Sequence, residues 1–145
     1  SSDEIVAKIA ELHGPAPARW VVLTGGEPLL QVDPELIRKL KKAGYLIAIE
    51  TNGTQEIPKG LDWVCVSPKV AEHCLVVKVA DEVKYVRNIG QGIPRPKIKA
   101  TYQNISPAFN ERDLDDQVLA WCIKLVKDHP AWTLSVQDHN LWAVR

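Results

Sequence analysis

The stretch WVVLTGGEPLLQVD, Trp20 to Asp33, decides how the chain is read. Trp20 to Leu23 is a short apolar run with two β-branched valines, the composition of a buried strand. It ends in Gly25-Gly26-Glu27-Pro28, which continues neither a strand nor a helix. Glycines let backbone amides and carbonyls approach another molecule closely, and a carboxylate adds charge. A turn at this place needs no further reason, so its neighbours decide between a turn and a ligand loop.

Working outward, apolar periodicity predicts a helix from Ser1 or Ser2 to about His13, with Ile5, Ile9 and Leu12 on one face, and a loop at Gly14–Pro17. A strand is expected over Arg19–Thr24. Asp33 as N-cap and Pro34 at the first helical position open a helix through Lys42, which Gly44 stops. Further strands are expected at Tyr45–Glu50, Leu61–Val66, Val83–Val86, Lys99–Ile105 and Trp132–Val136. Asp113 or Asp115 opens a helix through Lys127, with Leu114, Val118, Trp121 and Leu125 apolar. Short apolar strands alternating with helices predict an α/β fold with mostly parallel strands. Ligands of such folds bind at the C-terminal strand ends, in open sheets and barrels alike.

The 145 residues suffice for one compact domain and hardly two. Lys+Arg and Asp+Glu both number 18, so there is no basic excess to track nucleic acid. No apolar run reaches the roughly 20 residues of a membrane span, and SSDEIVAKIAEL lacks the features of a signal peptide. A cytoplasmic protein is expected. Cys65, Cys74 and Cys122 fit neither a disulfide framework nor a compact metal motif, and each is read as a small buried hydrophobe.

Three successive strands end in chemically capable segments: Thr24-Gly25-Gly26-Glu27, Glu50-Thr51-Asn52-Gly53-Thr54 and Ser67-Pro68-Lys69. Glu27 can accept hydrogen bonds from an ammonium group. Asn52 and Ser67 suit hydroxyls such as those of a ribose, and Lys69 suits a carboxylate. Asn52-Gly53 is also a common turn dipeptide. Glu50 is harder to dismiss, since a carboxylate ending an apolar strand must be paired or ligand-facing. The set suits an amino-acid-like or nucleoside-like ligand.

LTGGEPLL, IETNGT and WVCVSPK, in this order and spacing, resemble the core of the radical S-adenosylmethionine enzymes. With the C-terminal WTLSVQDHNLWAVR, the chain resembles more closely the 7-carboxy-7-deazaguanine synthase family of queuosine and 7-deazapurine biosynthesis. The resemblance covers the whole chain and is weakest between about Ala71 and Phe109. It implies a partial (β/α) barrel of the radical S-adenosylmethionine type, with residues 1–145 as one such domain lacking its N-terminal cluster-binding segment. It implies a lyase in which a [4Fe–4S] cluster holds S-adenosylmethionine. Reductive cleavage then yields a 5′-deoxyadenosyl radical, and 6-carboxy-5,6,7,8-tetrahydropterin loses a hydrogen atom, contracts and releases ammonia, with Mg2+ assisting.

Carried over residue by residue, the resemblance assigns Gly25, Gly26 and Glu27 to the methionine amino group. It assigns Asn52, Ser67 and Lys69 to the cofactor's ribose and carboxylate region. Thr24 and Glu50 would face the pterin, fixing the hydrogen to be abstracted. Gln137 and His139 would contact substrate, with the terminal carboxylate of Arg145 reaching it if the chain ends there. A homodimer and an electron donor such as flavodoxin are expected partners, with no direct contact to nucleic acid or membrane.

The chain departs from the pattern in having no cysteine before Cys65, so the cluster cysteines and the magnesium ligand are expected upstream, in a longer enzyme. A degenerate member that binds S-adenosylmethionine or pterin without radical chemistry is the competing expectation, and a radical S-adenosylmethionine activating enzyme is the enzyme rival. Asp138 and Asn140 stand where the family usually has Thr and Lys, which bears on substrate choice.

Overall fold

The computed structural model of the chain describes residues 1–15, 17, 19–111 and 113–137. It divides into two compact units, Ser1–Val77 and Lys78–Arg145.

In the first unit, helix α1 (Ser2–His13) precedes strand β1 (Trp20–Leu23), and a 3₁₀ turn at Pro28–Leu30 follows. Helix α2 (Pro34–Lys42) then leads to β2 (Leu46–Thr51), and β3 (Trp63–Val66) closes the ladder. β1 pairs in parallel with β2, and β2 with β3. Asp33 caps α2 as expected, its carboxylate accepting the Leu36 N–H at 2.7 Å. Leu36, Ile37 and Leu40 of α2 bury against Tyr45 and Ile47, with Val21 and Leu23 of β1 beside them. The parallel register puts Val21 with Ile47 and Leu23 with Ile49, so these residues form the helix-facing side of the ladder.

Two expectations here need correction. The helix α1 meets the core through Val6 and Ile9, while Ile5 is 45% and Leu12 74% exposed. Val6 and Ile9 fall one turn apart on the docking side, Ile9 as expected, while Ile5 and Leu12 are left largely exposed. The strand β1 is not buried on both sides either: Trp20 and Val22 are about half exposed while Val21 and Leu23 are half-buried. Helices cover only one face of this ladder.

The second unit holds β4 (Val79–Arg87), β5 (Lys99–Pro107), α3 (Asp116–Asp128) and β6 (Thr133–Leu134). β4 pairs with β5 and β5 with β6, again in parallel. Val118, Cys122 and Leu125 of α3 are buried, as are Val83, Tyr85, Ile105 and Trp132. Asp115 caps α3 by accepting the Gln117 and Val118 N–H groups. Cys122 donates to the Arg87 carbonyl at 3.6 Å, and burial pushes its thiol pKa up, outweighing the lowering by the Arg87 charge. β4 begins four residues before the expected strand, because Val79–Glu82 pair with β5 despite the polar Asp81 and Glu82. β6 is shorter than expected, only Thr133 and Leu134 being in the strand.

All the described ladders are parallel, so the α/β expectation holds. The β2–β3 and β4–β5 connections, where the sequence predicts no helix, carry none. The second is instead pinned by hydrogen bonds: Arg87 Nε donates to the Gly92 carbonyl at 2.9 Å, and the Trp121 indole N–H to the Gln91 carbonyl at 2.9 Å. Among the cysteines, Cys65 and Cys122 are buried as expected, whereas Cys74 is exposed at the end of a 3₁₀ turn, Glu72–Cys74.

Candidate functional site

The first unit gathers its three strand-end segments at the C-terminal ends of β1, β2 and β3. Register settles which way they face. Glu50 pairs with Cys65, and both lie on the side opposite α2, together with Trp20, Val22 and Leu46. Thr24, one residue past the strand, is exposed and Glu50 half-buried.

The loop after β1 is anchored through Glu27. The Glu27 carboxylate accepts from three donors: the Leu29 N–H at 3.2 Å, the Thr51 hydroxyl at 2.6 Å and the Asn52 N–H at 2.8 Å. Its first oxygen thereby caps the 3₁₀ turn, and both oxygens bind the end of β2. A carboxylate offers about four acceptor sites, so one remains after these three bonds. Thr24, Gly25 and Gly26 are all exposed. Gly25 has φ +113°, a conformation that side-chain-bearing residues rarely adopt, and no atom approaches the Cβ position of either glycine within 4 Å. A cavity of about 250 Å3 borders Thr24, Gly26 and Glu27, with Ile5, Leu23, Pro28, Val32 and Leu36 among its walls.

The loop after β2 is built as a turn as well as a binding segment. Thr54 donates to Asn52 Oδ1 through its N–H at 2.9 Å and its hydroxyl at 2.6 Å. A backbone N–H can only donate, which identifies that atom of Asn52 as the oxygen and turns the amide nitrogen to the other side. Gly53 has φ +81°, and a Cβ there would lie 2.7 Å from Val66 Cγ1. Its carbonyl accepts the Val76 and Val77 N–H groups. After β3, the Ser67 N–H continues the ladder to the Thr51 carbonyl at 2.8 Å, and Lys69 Nζ reaches the Ser67 hydroxyl at 3.4 Å.

The structure thus brings Thr24, Gly25, Gly26, Glu27, Asn52, Ser67 and Lys69 to neighbouring strand ends, with Glu50 at the end of β2 on the side opposite α2. Gln137 belongs to the second unit, half-buried shortly after β6. His139 and Arg145 lie outside the described residues. The sequence reading passed over Thr51, which is 3% exposed and holds Glu27. The signal was a polar residue on the helix-facing side of a strand, where it needs a partner. It also passed over Ser106 in the second unit, whose hydroxyl is buried near the end of β5 with no hydrogen-bond partner.

The chemistry of these groups matches S-adenosylmethionine. Exposed glycine carbonyls and a spare carboxylate acceptor suit an ammonium, an amide N–H2 and a hydroxyl suit ribose oxygens, and a lysine suits a carboxylate. The same is not true of a metal or cluster. Among the described residues, no group of three or more His, Cys, Asp or Glu side chains is placed to hold a metal ion.

No family model matches the chain. The 7-carboxy-7-deazaguanine synthase of Burkholderia multivorans is 43% identical over 146 residues, covering 96% of this chain and 66% of that protein. Its counterpart from Bradyrhizobium diazoefficiens is 40% identical over 136 residues, covering 88% of this chain and 60% of that protein. The one from Bacteroides thetaiotaomicron is 37% identical over 147 residues, covering the whole of this chain and 74% of that protein. The chain thus spans less than two thirds of the first two relatives. The crystal structure of QueE from Escherichia coli matches 94% of this chain and 64% of its own with a TM-score of 0.65 and 26% identity. Identity at this level over nearly the whole chain means that the chain belongs to the 7-carboxy-7-deazaguanine synthase family.

Proposed function

We propose that this chain is part of a cytoplasmic radical S-adenosylmethionine lyase that converts 6-carboxy-5,6,7,8-tetrahydropterin to 7-carboxy-7-deazaguanine, within queuosine or 7-deazapurine biosynthesis. The observation that carries this is the 37% identity to the Bacteroides relative over the whole chain, every strand-end segment included. Residues 1–145 then constitute one domain of a partial (β/α) barrel. The enzyme works as a homodimer with an electron donor such as flavodoxin.

Bound S-adenosylmethionine supplies the hydrogen-abstraction chemistry. The chain's own groups orient it: Gly25 and Gly26 carbonyls with Glu27 take its ammonium, Asn52 Nδ2 and Ser67 its ribose hydroxyls, and Lys69 its carboxylate. Thr24 and Glu50, at the ends of β1 and β2, hydrogen-bond the planar pterin and fix which hydrogen faces the cofactor. Gln137 and His139 add substrate contacts, joined by the Arg145 carboxylate if the chain ends there. Fixed donors and acceptors around both partners lower the entropic part of the barrier. Among the described residues no group of side chains suits a [4Fe–4S] cluster or Mg2+.

The test is product formation. The complete protein, with cluster, reductant, S-adenosylmethionine and 6-carboxytetrahydropterin, forms 7-carboxy-7-deazaguanine. An intact cluster without product refutes the proposal. No described helix is long and apolar enough to cross a membrane.

A further inference from the structure

We infer that Thr51 is a positioning residue: its buried hydroxyl locks Glu27, and through Glu27 it sets the Gly25-Gly26 carbonyls that receive the amino-acid end of the cofactor. This rests on the S-adenosylmethionine reading above and adds a residue that none of the expected contacts includes.

Three observations carry it. First, the loop from Thr24 to Gly26 is exposed, and nothing packs at the Cβ positions of Gly25 and Gly26. Packing therefore does not hold its shape, and its anchored end, Glu27, must. Second, two of the three donors on the Glu27 carboxylate come from the end of β2, and the Thr51 hydroxyl is the shortest bond of the three at 2.6 Å. Hydrogen bonds to an ionised carboxylate are the strong ones. Third, the Thr51 hydroxyl is itself oriented. It accepts the Gly53 N–H at 3.2 Å, which leaves its proton directed at Glu27. Thr51 is 3% exposed, so water does not replace the hydroxyl if it is removed. The side chain lies on the helix-facing side of β2 and touches no ligand. Its effect on the Gly25-Gly26 loop passes through Glu27, while its bond from the Gly53 N–H ties it to the turn after β2.

The reading separates one half of the ligand from the other. Loosening Glu27 weakens recognition of the ammonium far more than that of the nucleoside half, because the Asn52 side chain is held separately by the Thr54 N–H and hydroxyl. The test uses the complete, cluster-loaded protein and two probes: S-adenosylmethionine, and 5′-methylthioadenosine, which lacks the amino-acid end. Thr51→Val is expected to weaken S-adenosylmethionine binding about tenfold, the equivalent of one charge-assisted hydrogen bond. Affinity for 5′-methylthioadenosine stays within about twofold, and Thr51→Ser, which restores the hydroxyl, returns both to the unaltered values. Thr51→Ala provides the same comparison if the valine variant does not fold.

Equal weakening of both ligands, or no weakening of either, overturns the inference, because a general structural defect does not discriminate between the two. Failure of the serine variant to rescue overturns it as well. An unaltered protein that does not bind S-adenosylmethionine overturns this and the proposed cofactor together. One that binds it without forming product overturns only the proposed reaction, since the Thr51 effect is scored on affinity.

Discussion

Gly53→Ala tests how tightly the end of β2 is built. Gly53 has φ +81°, and an added Cβ would sit 2.7 Å from Val66 Cγ1 and 3.4 Å from Leu75 Cδ2. Two costs arise separately. Holding alanine in the left-handed region costs about 1–2 kcal/mol. Forcing a methyl group against Val66, which is fully buried, costs about 1–3 kcal/mol, because the Val66 side chain has no free space to turn into. The sum, about 2–5 kcal/mol, lowers the melting temperature by roughly 4–20 °C. A double-mutant cycle divides it. Val66→Ala removes the clashing methyl, so Gly53→Ala made in that background retains the φ cost and loses the clash. The double variant should then be more stable than additivity predicts by about 1–3 kcal/mol. Urea denaturation of the four proteins measures all the terms. Strict additivity refutes the contact, and a Gly53→Ala cost below about 0.5 kcal/mol refutes the whole argument.

Other outcomes follow from single residues. Asp33→Ala removes the acceptor of the Leu36 N–H and should cost about 1 kcal/mol in chemical denaturation, with Asp33→Ser retaining most of it. Asp62 is held below the usual carboxylate range, first by the Lys41 ammonium at 2.7 Å and then by the Ile47 N–H. A depressed folded-state pKa contributes stability that is present above the unfolded value, near 3.9, and is lost as pH falls through the folded value. Asp62→Asn should therefore flatten the acid limb of a stability–pH curve below about pH 4, and an unchanged limb refutes the pairing. Of the three cysteines in this sequence, a maleimide should modify only exposed Cys74 in the folded protein, with Cys65 and Cys122 reacting after denaturation. Rapid labelling of Cys122 under native conditions, read by peptide mass, contradicts its burial and raised pKa.

Local chemistry announced itself where one residue does a job alone. Asp33 and Pro34 marked the start of α2, Gly44 its end, and Asp115 the start of α3. The strand ends were legible for the same reason: glycine, carboxylate and proline after an apolar run have few other uses. What was misread depended on partners. Val6 and Ile9, rather than Ile5, dock α1 because of where α2 lies. Val79–Glu82 became strand only because β5 runs beside them. What holds the helix-free β4–β5 connection was not legible either, since the Trp121 indole N–H that donates to its Gln91 carbonyl comes from a distant helix.

Glu27 shows the division most clearly. The sequence by itself determined that a charged residue stands in a glycine-rich loop after an apolar strand, and that a second polar segment, Glu50 to Thr54, follows another. Those facts depend on residue type and spacing along one chain. Only the tertiary structure decided that the two segments touch. Twenty-four residues separate Thr51 from Glu27, and their 2.6 Å hydrogen bond exists because β1 and β2 pair in parallel and end side by side. Whether a carboxylate is committed to a neighbour or available to a ligand depends on which donors lie within about 3 Å, and spacing along a sequence does not specify distance in space.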